Sequence, residues 1–233
     1  MKELSTTSFI ACNNEHILLD NPLFSDVKPE DVSAMLLCLN AVIFSYGRNE
    51  IIVHEGDSAD RIGIVISGNA SVLQDDIHGN RTLFHKLTTG HSFGESYACA
   101  LLHTYPMTVQ ADTEATVLFL KTEQIFSHEH FCQFQGILIR NLLHIIAEEN
   151  VSINRRLSNT MHKTTREKLL SFLYDERKRT QKDTFVISMG RQQLADYLGV
   201  ERSALSAVIS TLTKEGVLSS SRNTFTLHRK EVL

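Results

Sequence analysis

The chain has 233 residues, 42% of them hydrophobic, and 23 Lys+Arg against 27 Asp+Glu give a formal net charge of -4. That length leaves room for two domains with cores of their own, and the mean hydropathy of -0.11 is that of an ordinary soluble chain. No apolar run of about eighteen residues occurs, and Met1–Asp20 carries charges and asparagines where a secretion signal needs an apolar core, so a cytoplasmic protein without a membrane span is expected.

Met1–Asp20 lacks a clear period and reads as an N-terminal arm. Asn21-Pro22-Leu23-Phe24 opens a short helical lead-in. Lys28-Pro29-Glu30-Asp31 then starts a helix whose Val32, Met35, Leu36 and Leu39 share one face. From Ala41 onward, short β-rich runs (41–46, 50–53, 62–66, 70–73, 83–87 and 116–120) alternate with Gly47, Gly56, Gly68, Gly79-Asn80 and Gly90. Many short strands at that spacing predict an antiparallel roll or barrel.

Cys12, Cys38, Cys99 and Cys132 stand far apart with no CxxC pair, which argues against a disulfide framework or a zinc finger and reads them as small buried hydrophobes. Between Phe134 and Thr160 there is no proline, and the only glycine is Gly136, near the start. Ile139, Leu143, Ile146, Asn150, Ile153 and Leu157 follow steps of four and three, the seam of a two-stranded coiled coil, and an Asn inside such a seam fixes its register. Leu138, Leu142 and Ile145 make an adjoining stripe suited to packing on the roll. One amphipathic helix lying on its own domain is the other reading of this pattern.

Ser158-Asn159-Thr160 reads as a hinge and Thr164-Thr165-Arg166-Glu167 as the start of the next helix, whose Asp175–Arg179 tail is a solvated face. Phe185-Val186-Ile187 reads as a strand. Two short helices follow, one with Leu194, Ala195, Leu198 and Val200 as its apolar face, the other with Leu205, Val208, Ile209 and Leu212; Gly199 supplies the turn between them. Such a pair is either a plain helical hairpin or a helix-turn-helix. After Glu215-Gly216, a strand, a polar turn and Thr224–Leu227 as a second strand favour the winged helix-turn-helix. From Met161 on, 13 Lys+Arg stand against 8 Asp+Glu, a net of about +5, which leaves about -9 before it. The basic part is the one that phosphates attract.

His54-Glu55-Gly56-Asp57, then residues 60–68 (DRIGIVISG), then Phe93-Gly94-Glu95-Ser96, resemble the cyclic-nucleotide-binding β-roll of the bacterial CRP/FNR regulators, and the likeness continues through the helix-turn-helix. It implies an α+β chain: arm 1–20, antiparallel jelly-roll sensor domain 21–133, dimerisation helix 134–157, hinge 158–163 and winged helix-turn-helix 164–233. A homodimer on a palindromic double-stranded operator, working with RNA polymerase under allosteric control, is the implied assembly. In cyclic-AMP-binding relatives the Phe-Gly-Glu segment holds phosphate and ribose, and an arginine eleven residues past the glycine pairs the phosphate. Here Gly94, Glu95 and Ser96 match, but that arginine is Tyr105, and 106–110 (PMTVQ) supplies no cation. The effector site expected around Phe93–Tyr97 and Tyr105–Met107 therefore suits cyclic AMP poorly.

Three readings of the pocket stay open: another small effector, a structural relic, or a weak nucleotide site. No cofactor is assigned. His91, Cys99 and His103 suggest a metal- or haem-dependent gas or redox sensor, and His128-Glu129-His130 a ligand pair, although alternate residues face apart. An iron-sulfur cluster of the FNR type needs an N-terminal cysteine group, and Cys12 is single there. The resemblance places Arg202, Ser203 and Ser206 at base edges, and Thr165, Ser188, Arg191, Gln192 and Lys214 at phosphates. Ser203 and Ala207 replace the family's usual Glu and Arg, so a half-site other than TGTGA is expected. No catalytic constellation is present in the sequence, and an enzyme is not expected. A nucleotide-binding module acting through protein partners is the remaining competitor.

Overall fold

A computed structural model describes residues 2–4, 15–75, 81–100, 104–126 and 132–228. The chain divides into two units, Met1–Ala147 and Glu148–Leu233.

In the first unit β1 (Lys2–Leu4), β2 (Val42–Tyr46), β4 (Arg61–Ser67), β7 (Ser92–Phe93) and β9 (Ala115–Lys121) form one antiparallel sheet in the order β1-β2-β9-β4-β7. Strands β3 (Ile51–Val53), β5 (Asn69–Asp75), β6 (Arg81–Thr88) and β8 (Thr108–Ala111) form the other, in the order β3-β8-β5-β6. The period of two splits the central strands between two cores. Ile62, Ile64 and Ile66 of β4 and Leu118 and Leu120 of β9 pack into one cluster with the helices. Val65, Val117 and Phe119, one residue out of phase, pack into the roll interior. A strand buried on both faces reads as a near-continuous apolar run, and RIGIVIS and ATVLFLK do.

The helical core uses the predicted face: Val32, Met35, Leu36 and Leu39 are all fully buried, on a helix α2 (Val32–Cys38) entered through a 3-10 turn at Pro29–Asp31. The arm expectation needs correcting where it is described. Lys2–Leu4 pair with β2, and a short helix α1 (Glu15–Leu19) sends Leu18 into the core with no exposure. Five residues make less than two turns, too short for a visible period. The cysteine expectation is corrected as well: Cys38 and Cys132, 94 residues apart in sequence, form a disulfide with Cα atoms 6.0 Å apart. Only the packing of the end of α2 against the segment before the long helix makes that pair. Cys12, His103 and His128-Glu129-His130 lie outside the described residues.

Two further helices, α3 (Glu95–Cys99) and α4 (Thr122–Phe126), precede α5 (Gln135–Met161), which is unbroken for 27 residues. Leu138 and Leu142 are buried in the helical core and Ile145 packs against it, as the adjoining stripe predicts. Asn141 lies in the same stripe, buried, its Nδ2 donating to the carbonyls of Leu23 and Ser25 at 2.9 and 2.8 Å. Ile139, Leu143, Ile153 and Leu157 are 40 to 67% exposed. The expected hinge at 158–163 begins later than predicted, because Ser158-Asn159-Thr160 are helical and the break falls at 162–164. Two of their side-chain oxygens find partners compatible with a helix, while Asn159 Nδ2 is buried without one. Asn159 Oδ1 accepts from Ser171 Oγ at 2.6 Å, and Thr160 Oγ1 donates to the Arg156 carbonyl at 2.9 Å.

In the second unit α6 (Thr165–Thr180) starts on a reciprocal capping box. Thr164 Oγ1 accepts from Glu167 N, and Thr164 N donates to Glu167 Oε2, each at 3.1 Å. These bonds hold the Glu167 carboxyl below its ordinary range. Helices α7 (Arg191–Leu198) and α8 (Arg202–Lys214) follow, joined at Gly199, whose φ of 60° is left-handed. Strands β10 (Thr184–Val186), β11 (Leu218–Ser221) and β12 (Thr224–Leu227) make an antiparallel sheet in the order β10-β12-β11, with β10 ahead of α7 and the β11–β12 hairpin behind α8. Leu194, Ala195, Leu198, Leu205 and Leu212 are fully buried, with Phe225 of β12 beside them. This is a winged helix-turn-helix.

Candidate effector pocket and nucleic-acid interface

The Phe-Gly-Glu segment is set by backbone packing. β7 pairs with β4 so that Phe93 lies opposite Gly63, and a Cβ there would meet the Phe93 ring at 2.2 Å. Gly63 is therefore the residue that lets Phe93 in. Phe93 packs edge-on against Phe119 at 6.1 Å, and the chain then turns at Gly94 (φ 88°) into α3. Glu95 is buried at 7% exposure, while Ser96 and Tyr97 are half-buried.

Tyr105 occupies this turn. Its hydroxyl would lie 2.9 Å from a Cβ on Gly94 and donates to the Arg61 carbonyl, and its ring packs edge-on against Tyr97 at 6.3 Å. Burial raises the pKa of Tyr105 to about 12, the Arg61 charge pulling the other way. Met107 packs on the same interior cluster, whereas Pro106 is exposed. Phe93, Gly94, Tyr97, Tyr105 and Met107 thus converge. What the sequence reading missed is a cation from another strand: Arg61 on β4, quoted there only as part of a roll motif, acts electrostatically on Tyr105. Its signal was present in the Asp60-Arg61 pair, but its orientation depends on the sheet.

Of the suggested metal ligands, His91 and Cys99 are described, each with neighbours of its own. His91 stacks on His85 at 6.3 Å, and its Nδ1 accepts from Thr88 N at 3.3 Å. Cys99 packs against the helical core, its thiol pKa raised by burial and by Glu95. Among the described residues no group of three His, Cys, Asp or Glu side chains has a metal-binding arrangement, and no helix is long and apolar enough to cross a membrane.

In the winged unit Arg202 is the first residue of α8, with Ser203, Ser206 and Ser210 exposed on the face opposite Leu205, Ile209 and Leu212. Arg202 makes no hydrogen bond or ion pair with a described residue and is exposed. Ser188, Gln192 and Lys214 are exposed and Thr165 is half-buried at the start of α6. Gln192 Nε2 donates to Asp196 Oδ1 at 2.8 Å. Arg191 is turned to the wing: its guanidinium lies 5.3 Å from the Phe225 ring centre and donates to the Arg222 carbonyl at 3.3 Å. Desolvation there lowers its pKa.

Comparison with known proteins agrees with this geometry. The family described as cyclic nucleotide-binding domain matches residues 43–127, and the Crp-like helix-turn-helix domain matches residues 167–233. The catabolite activator protein of Thermus thermophilus aligns at a TM-score of 0.54 and 20% identity, over 89% of this chain and 94% of its own. CLP, the c-di-GMP responsive global regulator of Xanthomonas campestris, aligns at 0.50 and 16% identity, over 84% of this chain and 98% of its own. No curated protein sequence matches. A nucleotide-binding-type roll followed by a Crp-like DNA-binding domain defines a transcription regulator. The chain belongs to the CRP/FNR superfamily.

Proposed function

We propose that the protein is a homodimeric, sequence-specific DNA-binding regulator whose roll responds to a small effector other than cyclic AMP. The observation that carries the DNA-reading part is the unpaired guanidinium of Arg202 at the start of a helix whose outward face bears only small and polar residues. Small side chains let such a helix sit deep in the major groove, and an arginine at its N-terminus takes guanine O6 and N7 together. Ser203 and Ser206 read neighbouring positions. Thr165, Ser188, Gln192 and Lys214 face phosphates, while Arg191 holds the wing. A palindromic operator in the cytoplasm, half-sites about 34 Å apart, matches a two-fold dimer working with RNA polymerase.

The effector part rests on Tyr105. With its ring over Gly94, a phosphodiester there meets a phenol in place of a guanidinium, and the loss of a charge-assisted pair amounts to about 1.5–3 kcal/mol. CLP, on a similar fold, is c-di-GMP responsive, which supports effectors beyond cyclic AMP on this architecture. A second reading, a redox-responsive regulator, is favoured by the Cys38–Cys132 disulfide.

Arg202→Ala tests the first reading. In anisotropy titrations against an operator selected from random duplexes, the substitution weakens specific binding by about 1–3 kcal/mol and relaxes selectivity at one base pair of each half-site. Unchanged affinity and selectivity favour a module that works through protein partners.

A further inference from the structure

Behind Tyr105 lies a cavity of about 240 Å³, and of the residues expected at the effector site only Tyr105 lines it. Its walls are Tyr46, Ile52, Val53, Tyr105 and Phe119, and Arg61 is the only cationic residue among those lining it. We infer that the roll holds a compact aromatic carboxylate there, its carboxylate on the guanidinium of Arg61 and the hydroxyl of Tyr46, its ring among those of Tyr46, Tyr105 and Phe119. The inference gives a ligand class to the effector reading above and rests on it only for the effect on DNA.

Arg61 is held ready. Its Nε donates to Asp60 Oδ1 at 2.9 Å and its guanidinium lies over the Phe119 ring, 5.7 Å from the centre. Those two contacts orient the plane, and the terminal nitrogens have no hydrogen-bond partner among the described residues. A planar fork with its outer edge open matches a carboxylate. The acids nearest Arg61 are Asp60 and Asp57. Asp60 has a side chain 47% exposed, so water screens it. Asp57, exposed beside Ser58 at the mouth, accepts from His54 N at 2.8 Å. One guanidinium with these carboxylates around it, and with Glu50 acting on Tyr46 and the buried Glu95 on Tyr105, suits a monoanion and not a polyphosphate.

Tyr46 supplies the second polar group. The residue is 4% exposed, and its hydroxyl has no hydrogen-bond partner among the described residues. The oxygen still reaches solvent, so it is open to a ligand. Burial raises its pKa to about 12 against the pull of Arg61, so it stays a donor at physiological pH. Size narrows the class further. The cavity is smaller than the roughly 300–1,000 Å³ of pockets for drug-sized ligands, room for one ring and its acid group. Three aromatic walls and a stacked guanidinium favour a flat ring over an aliphatic acid. A ligand in this place touches Tyr105, whose ring also contacts Tyr97 and covers Gly94.

Isothermal titration of the full-length protein with benzoate, 4-hydroxybenzoate, cyclohexanecarboxylate, benzamide and cyclic AMP tests this. One benzoate or hydroxybenzoate per chain is expected, with benzamide and cyclohexanecarboxylate at least about tenfold weaker. Arg61→Lys, which keeps the charge but not the fork, and Tyr46→Phe, which keeps the ring, each weaken benzoate by about three- to tenfold or more, with unfolding midpoints close to the parent's. No binding of either benzoate up to about 10 mM overturns the site, as does equal affinity in both variants. Operator anisotropy with saturating benzoate separates the two levels: altered affinity makes the ligand an effector, while binding without any change keeps the site and removes the sensor reading.

Discussion

Leu143→Asp combined with Ile153→Asp leaves the protein monomeric at micromolar concentration and lowers its affinity for a palindromic operator by about a hundredfold or more. The two side chains are 67% and 65% exposed on the same seam of α5, with Ile139 and Leu157 in line above and below them. Covering one such side chain is worth about 1.5–3 kcal/mol, and a two-fold axis counts each position twice. Aspartates there lose that term and add like charges across the seam. Asn150 is exposed on the same line and accepts from Asn154 Nδ2 at 2.6 Å, and in the proposed dimer it is the polar position that would select a parallel, in-register pair. The consequence for DNA is larger than the loss of one contact, because a dimer binds its second half-site intramolecularly and a monomer does not. Sedimentation velocity reads the assembly and anisotropy the affinity. A double variant that still sediments as a dimer moves the interface to another surface.

Reduction of the Cys38–Cys132 disulfide lowers the stability of the first unit by about 4–5 kcal/mol in the chain-entropy account, because the bond closes a loop spanning 94 positions of sequence. On a unit of this size that corresponds to a fall in midpoint on the order of 10 °C. Calorimetry with and without a phosphine reductant reads it. Cys38→Ser and Cys132→Ser fall to the reduced value and do not respond to the reductant, which separates bond loss from a direct effect of the reagent. Operator titrations on the same two samples test the redox reading: the bond ties the end of α2 to the segment that leads into α5, so a redox-responsive regulator has different operator affinities in its two states. Identical calorimetric midpoints exclude a stabilising cross-link, and identical operator affinities exclude redox control.

What was legible in the sequence follows from what a local pattern can carry. The seam and the adjoining stripe of α5 were readable because 27 helical residues repeat their period many times. The two short helices of the winged unit were readable because Gly199 marks their boundary and their apolar faces do not overlap. Strand positions in the roll came from glycine punctuation, with ends off by a residue or two. β8 escaped because four residues, Thr108–Ala111, show no clear alternation, and α1 for the same reason of length. Asn141 drew no reading from its sequence neighbours, because the two carbonyls it binds are more than a hundred residues away. The polar run at 158–160 looked like a hinge because the partner of Asn159, Ser171, lies on the next helix, and the bond from Thr160 back to the Arg156 carbonyl leaves no pattern in the sequence. At the effector site the missing arginine after Gly94 was legible. That Tyr105 would fold over Gly94, and that Arg61 would come from β4, depended on strand pairing and on a side-chain direction that no spacing encodes.

On the proposed function, the placement of Arg191 bears on the thermodynamics of operator binding. Each phosphate neutralised by a free cation releases condensed counterions and adds about 0.9 to the slope of log affinity against log salt. A guanidinium already laid on Phe225 and bonded to the Arg222 carbonyl is partly desolvated before DNA arrives, and releases little on contact. On the proposed function, the ionic-strength dependence of the complex is therefore carried by an exposed cation at a phosphate, Lys214. On that reading Arg191 contributes through its contacts with Phe225 and the Arg222 carbonyl, made before DNA arrives.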